Sequence, residues 1–284
     1  MLPNKNSIYV ISIPLTTARS FIYCNHRPLI QSRAPLITKV ETKAINLATK
    51  GWNKLASSKV SANVKIVEWI RKLLATIPYE ENCLRSFPSK QAMIREINEE
   101  SLHLFKPVEK DTKGLIHQSD VKQLDIPDSQ LKPIPLYHAK YQPPSTILTE
   151  LVHFRTDNYQ KHKNGAILCA IGIPLTLPFA LVPVLPNVPG FYLAYRLYCH
   201  VKALMGIKNL DYLLDKNASH IRFAELDDGV FGKGEQGKEQ QEQLLITPEI
   251  IDTLVNKLSL PIKDDLVKAM NQTEKRLKKS KPLD

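Results

Sequence analysis

With 284 residues, 43% of them apolar, the chain is long enough for one large domain or two small ones with packed cores. Glycine is scarce (10) against 20 prolines, which argues against a sheet-rich or glycine-loop nucleotide fold and favours helices joined by stiff, proline-bounded connectors. The net charge of +11 points to an anionic surface, nucleic acid or anionic lipid, without choosing between them.

The N-terminus has no basic segment leading into a long apolar run, so it lacks a secretory layout. Its first acidic residue is Glu41, preceded by Lys5, Arg19, Arg27, Arg33 and Lys39. An acid-poor start with Arg and Ser suits mitochondrial import. Ser7 to Pro14 nevertheless reads as a strand, rich in β-branched residues and ended by a proline, so the import-like segment (1–35) is also a structured one.

Residues 36–144 read as a helical region with an irregular linker. Ile37, Val40, Ala44, Leu47 and Trp52 keep a helical spacing, and Val60, Val64, Val67 and Leu74 continue it after a break near 56–59. Pro78 stops that helix, and Pro88 opens another towards Phe105. Residues 106–144 are rich in Pro and Asp. Leu131 to His138 is expected to add an edge strand, because Pro133 and Pro135 lack the donors that a central strand needs.

The third region, 145–215, begins with a helix from Ser145, as cap, to Lys163, where Lys161, His162 and Lys163 complement the helix end. From Asn164 to Tyr195 there follow 32 positions without a charge, of which Gly165 to Leu185 supply 21 apolar or small residues. That is about the ~20 needed to cross ~30 Å of hydrocarbon. Pro174, Pro178, Pro183, Pro186 and Pro189 interrupt the stretch, and the basic flanks (Lys161 and Lys163 before, Arg196, Lys202 and Lys208 after) put both ends on one side. The expectation is a Pro-bent apolar hairpin, turning at Pro186–Gly190, rather than one straight span.

In the last region, 216–284, Ile221 to Leu226 alternates like a strand, and 227–243 is a polar loop. Thr247-Pro248 starts a helix, with Ile250, Ile251, Leu254, Val255 and Leu258 inward, and a final helix runs from Ile262 to Lys279. The fold class is therefore mainly α, with a Pro-bent apolar helical hairpin and a small β element formed by short strands.

The chain carries none of the phosphate-loop, dinucleotide, metalloprotease or nucleophile-elbow spacings, so it does not read as an enzyme and offers no catalytic residue, metal ligand set or cofactor. Cys24, Cys83, Cys169 and Cys199 have neither zinc nor disulfide spacing and read as free thiols. The uncharged stretch has no Asp, Glu, His, Lys or Arg, and Arg196 and His200 lie only at its edge. The sequence thus shows no evident proton relay.

Ile8-Tyr-Val-Ile-Ser-Ile-Pro14, Gly51-Trp52, Pro78-Tyr79-Glu80-Glu81 and above all Pro183-Val-Leu-Pro186-Asn187-Val-Pro189 followed by Phe191, Tyr192, Arg196 and His200 resemble the mitochondrial potassium–proton exchange-related family. The resemblance covers roughly residues 7–215. It implies a place in the mitochondrial inner membrane and a part, as component or regulator, in exchange of K⁺ for H⁺ and so in cation and matrix volume homeostasis. Expected partners are anionic inner-membrane lipids, other exchange components, and K⁺ and H⁺ as ions moved directly or indirectly. The competing expectation, from charge and the basic run Lys275 to Lys281, is a membrane-associated matrix protein binding mitochondrial ribosomes or RNA. Pro183, Pro186, Asn187, Pro189, Phe191, Tyr192, Arg196 and His200 are the candidate functional residues.

Overall fold

The computed structural model describes residues 3–4, 7–26, 43, 46, 49–90, 92–94, 96–97, 132–176, 178, 188–215, 220–226, 231 and 242–280. By internal contacts the chain divides into two compact units: Pro28–Pro78, and Met1–Arg27 with Tyr79–Asp284. The first unit holds helical residues 51–56 and helix α1 (Ser61–Ala75), separated by the break expected near 56–59.

The second unit is built on a four-stranded mixed sheet of order β2-β1-β3-β4, with β1 (Tyr9–Pro14), β2 (Ser20–Asn25), β3 (Ile134–Ala139) and β4 (Ile221–Leu226). β1 and β2 form an antiparallel hairpin. Its turn is closed by the Leu15 amide on the Arg19 carbonyl (2.9 Å) and by Thr16 Oγ1, which accepts from the amides of Ala18 and Arg19. Every residue of β1 is buried, as befits a strand covered on both faces. The Ser12 hydroxyl is satisfied inside: Ser12 Oγ donates to Gln142 Oε1 (3.1 Å), and Gln142 Nε2 donates to Ser20 Oγ (2.5 Å).

The expected edge strand at 131–138 is a central one, flanked by parallel β1 and β4. Successive amides of a strand point to opposite neighbours. Ile134 donates to the His220 carbonyl on the β4 side (2.8 Å), so the missing donor of Pro135 faces β1. Pairing with β1 starts only at Leu136. Pro135 therefore removes no ladder bond, and the proline rule for sheet interiors is escaped by one residue of register.

Parallel β3 and β4 need a crossover. Here it is a helical hairpin: α3 (Pro144–Leu175) and α4 (Val188–Leu213). α3 is longer than expected. Ser145 does not cap it; Pro144 takes the first helical position behind Pro143. Nor does it end at Lys163, so Lys161, His162 and Lys163 sit mid-helix. Pro174 is accommodated in the last turn, and the helix stops at Thr176, whose amide and hydroxyl both donate to the Ile173 carbonyl. Of the uncharged stretch, 164–175 lie in α3 and 188–195 in α4, so residues 188–190 of the expected turn are helical; 177 and 179–187 lie outside the described residues. Among the described residues, no helix is long and apolar enough to cross a membrane.

α2 (Tyr79–Ser86) follows Pro78 and packs on β2 and α4; the Cys24 amide donates to Ser86 Oγ (3.0 Å). α5 (Pro248–Leu258) begins as the Thr-Pro pair predicts, with Thr247 Oγ1 accepting from the Ile250 amide, and buries Ile251, Leu254 and Leu258. α6 (Lys263–Ser280) packs against α5 and α2. The chain is predominantly helical with one small mixed sheet, and all four cysteines are buried free thiols.

Candidate functional site

Where α2, α3 and α4 meet, three segments far apart in sequence bring four polar side chains together. Glu81 lies in the first turn of α2, where the helix dipole favours a negative charge. His162 comes from the middle of α3, on the inward stripe Ile147, Leu151, Phe154, His162 and Cys169. Arg196 and His200 are one turn apart on α4 and so share a face.

α3 and α4 run antiparallel at close range, because glycines line the seam. A β-carbon at Gly165 would stand 2.5 Å from His200 Nε2, and one at Gly172 2.9 Å from Leu193 Cδ1. At Gly206 an added β-carbon would collide with the backbone carbonyl oxygen of Leu84, which brings α4 directly onto α2.

Within this frame Arg196 grips Glu81 with both ends of its guanidinium, Nη1 to Oε1 at 2.6 Å and Nη2 to Oε2 at 3.0 Å. The pair is buried, with side-chain exposures of 13% and 3%. Arg196 Nη2 also lies 3.3 Å from His200 Nε2, and His200 Nδ1 lies 2.9 Å from His162 Nδ1. Arginine can only donate, so His200 Nε2 accepts; its proton is then on Nδ1, which donates to His162 Nδ1. His162 Nδ1 is 4.0 Å from Glu81 Oε2.

Burial works against the charge on Glu81, but the Arg196 hydrogen bonds and charge outweigh it, with help from the two histidines, and its pKa falls below the usual carboxylate value. Burial likewise opposes the charge on Arg196, and Glu81 more than restores it. His162 is pushed down to about 4, chiefly by burial, against the pull of Glu81 and with the nearby positive charges adding to the shift. His200 is lowered by burial and by Arg196. At neutral pH the site therefore holds one ionised pair and two uncharged imidazoles.

Of the residues singled out in the sequence, Arg196 and His200 are brought together here. The charge of Arg196 is paired with Glu81. Pro189 lies in the first turn of α4, Phe191 is exposed and Tyr192 half-buried. Pro183, Pro186 and Asn187 lie outside the described residues. Glu81 and His162 were not among the candidates, although His162 falls on the same helical stripe as Leu151 and Phe154. The stretch 164–195 carries no Asp, Glu, His, Lys or Arg, and all four members of the cluster, Glu81, His162, Arg196 and His200, lie outside it.

No solved structure matches this chain significantly. An uncharacterized protein of Saccharomyces cerevisiae is 32% identical over 292 aligned positions, covering 96% of this chain and 87% of its own length. An uncharacterized protein of Schizosaccharomyces pombe is 32% identical over 198 positions, covering 69% of this chain and 71% of its own. Residues 9–214, which span the sheet's first three strands and the whole Glu81–His162–Arg196–His200 cluster, match the family described as mitochondrial K⁺-H⁺ exchange-related, and the chain belongs to that family.

Proposed function

We propose that this chain is a non-enzymatic component or regulator of K⁺–H⁺ exchange at the mitochondrial inner membrane, docked to the bilayer by the outer face of the α3–α4 hairpin. The observation that carries the docking is the apolar exposure at one end of that hairpin. Leu168, Leu175 and Phe191 are 69%, 71% and 67% exposed, with Ile167 and Ile171 beside them. Clustered exposure of this kind marks an interaction surface. Burying side chains of this size is worth about 1.5–3 kcal/mol each.

The surroundings suit lipid. Tyr159, Tyr195 and Tyr198 are exposed on the same two helices, and tyrosine favours the lipid–water boundary. Lys161, Lys163, Lys202 and Lys208 supply positive charge for anionic headgroups. In sequence, Pro178, Pro183 and Pro186 fall between the two helices. A stretch without Asp, Glu, His, Lys or Arg offers no ready proton carrier through the lipid, which favours a regulatory part over that of a complete carrier.

The test is a swelling assay in mitochondria lacking the protein. Their matrix should swell, and nigericin, an ionophore that exchanges K⁺ for H⁺, should reverse the defect. A defect that nigericin leaves untouched would overturn the exchange role, and release of the protein by carbonate extraction would overturn the membrane docking.

A further inference from the structure

We propose that Glu81, His162 and His200 form a binding site for a divalent transition-metal ion of the zinc class, set between α2, α3 and α4. The inference stands on the geometry of the cluster and does not depend on the exchange reading. One ligand atom from each residue lies within 4.8 Å of the other two. Two ligands about 2.1 Å from one tetrahedral zinc ion stand about 3.4 Å apart. The His162 Nδ1–His200 Nδ1 distance of 2.9 Å and the His162 Nδ1–Glu81 Oε2 distance of 4.0 Å fall on either side of that value. With the third pair, His200 and Glu81, bounded at 4.8 Å, seating the ion takes shifts of up to about 1.4 Å. The missing side chain at Gly165 is what lets the His200 ring lie against α3, since a β-carbon there would stand 2.5 Å from Nε2.

The chemistry of the donor set selects the metal. Two imidazoles with one carboxylate suit Zn²⁺, Co²⁺ or Ni²⁺, whereas Mg²⁺ and Ca²⁺ demand oxygen ligands. Metal binding needs neutral imidazoles. Three protein ligands leave one position open, the arrangement of a site that also takes water or a small anion.

Arg196 is the competitor and sets the coupling. In the metal-free site His200 carries its proton on Nδ1 and accepts from Arg196 at Nε2. To offer Nδ1 to a metal, that proton must move to Nε2, where it would face an Arg196 N–H. The ion therefore displaces Arg196 Nη2 both from His200 Nε2 and from Glu81 Oε2, while Nη1 keeps its bond to Glu81 Oε1 and goes on orienting the carboxylate. Binding of the metal and relaxation of α4 at Arg196 are one event.

The experiment is isothermal titration of the purified full chain with ZnCl₂, with MgCl₂ as control, repeated on His162→Ala and His200→Ala. One zinc ion per chain is expected, no magnesium, and in each variant a loss of affinity beyond the ~10–100-fold typical of an outer-shell change. Zinc bound equally by both variants would overturn the site. Should either variant fail to fold, the absorption of the wild-type chain with Co²⁺ decides. Visible bands of a tetrahedral N/O site, without thiolate charge transfer in the near ultraviolet, support the assignment. Thiolate charge transfer would place the ion on the cysteines, and no visible bands at all would mean no site; either result overturns the proposal.

Discussion

Arg196 and Glu81, 115 residues apart in sequence, are joined by two parallel hydrogen bonds of 2.6 and 3.0 Å beneath the surface where α4 crosses the start of α2. Removing one partner of a buried pair leaves the other's charge stranded, at a cost of about 3–5 kcal/mol. Arg196→Met should therefore destabilise the second compact unit by that amount in urea unfolding. The double variant Glu81→Gln with Arg196→Met should recover at least half of the loss. A double-mutant cycle with no coupling would show that the pair does not hold these helices together.

The glycine seam makes a separate prediction. Gly206→Ala places a methyl group against the Leu84 carbonyl, a backbone atom that cannot rotate away. Overpacking of this kind costs about 1–3 kcal/mol, and the rigid partner puts the cost at the upper end. Gly172→Ala meets only the end of the Leu193 side chain and should be milder. Thermal melts of the two variants should rank them in that order.

Charge on the apolar end should affect docking alone. Leu168→Lys and Phe191→Glu change exposed positions, so melting should stay within about 0.5 kcal/mol of the parent. Flotation with cardiolipin-containing vesicles should fall sharply for both variants. Because Leu168→Lys adds a charge that anionic lipid attracts, a rise in its flotation would indicate a purely electrostatic attachment.

Glu150, on α3, accepts from the Ser20 amide at 2.7 Å. Its pKa is raised to about 7, because burial outweighs the Ser20 hydrogen bonds and the charge of Arg19. The unfolded carboxyl titrates near its ordinary value, so between that value and about 7 the folded chain binds the extra proton. This group's contribution to stability is fully present at acidic pH and is lost as the pH rises through about 7. Glu150→Gln should remove that slope: the variant should gain on the parent as the pH is raised from 5 to 8, read from melting temperatures across the range.

Much of the fold is legible locally. The β-branched run at β1, the Thr247-Pro248 helix start and the alternation of β4 each come from a few neighbouring residues, and each appears as expected. The misreadings share a cause. The end of α3, the centrality of β3 and the carboxylate beside Arg196 all depend on partners distant in sequence. Pro135 is harmless only because β1 begins pairing one residue later. Glu81 looks like an ordinary first-turn acid until α4 is laid across it. His162 was readable in principle, since it sits on an apolar stripe, but the adjacent lysines made it look like one of three helix-end cations.

The sheet order has a consequence for how the molecule comes into being. β1 finds β2 at once, across a short turn, but its other neighbour is not synthesised until residue 134, and β4 comes still later. Contacts so distant along the chain make folding slow. Until then the hairpin carries an open, mostly apolar edge that invites other chains. Such a polypeptide depends on being shielded during its delivery, and its yield in a cell should follow the supply of chaperones that bind extended hydrophobic segments.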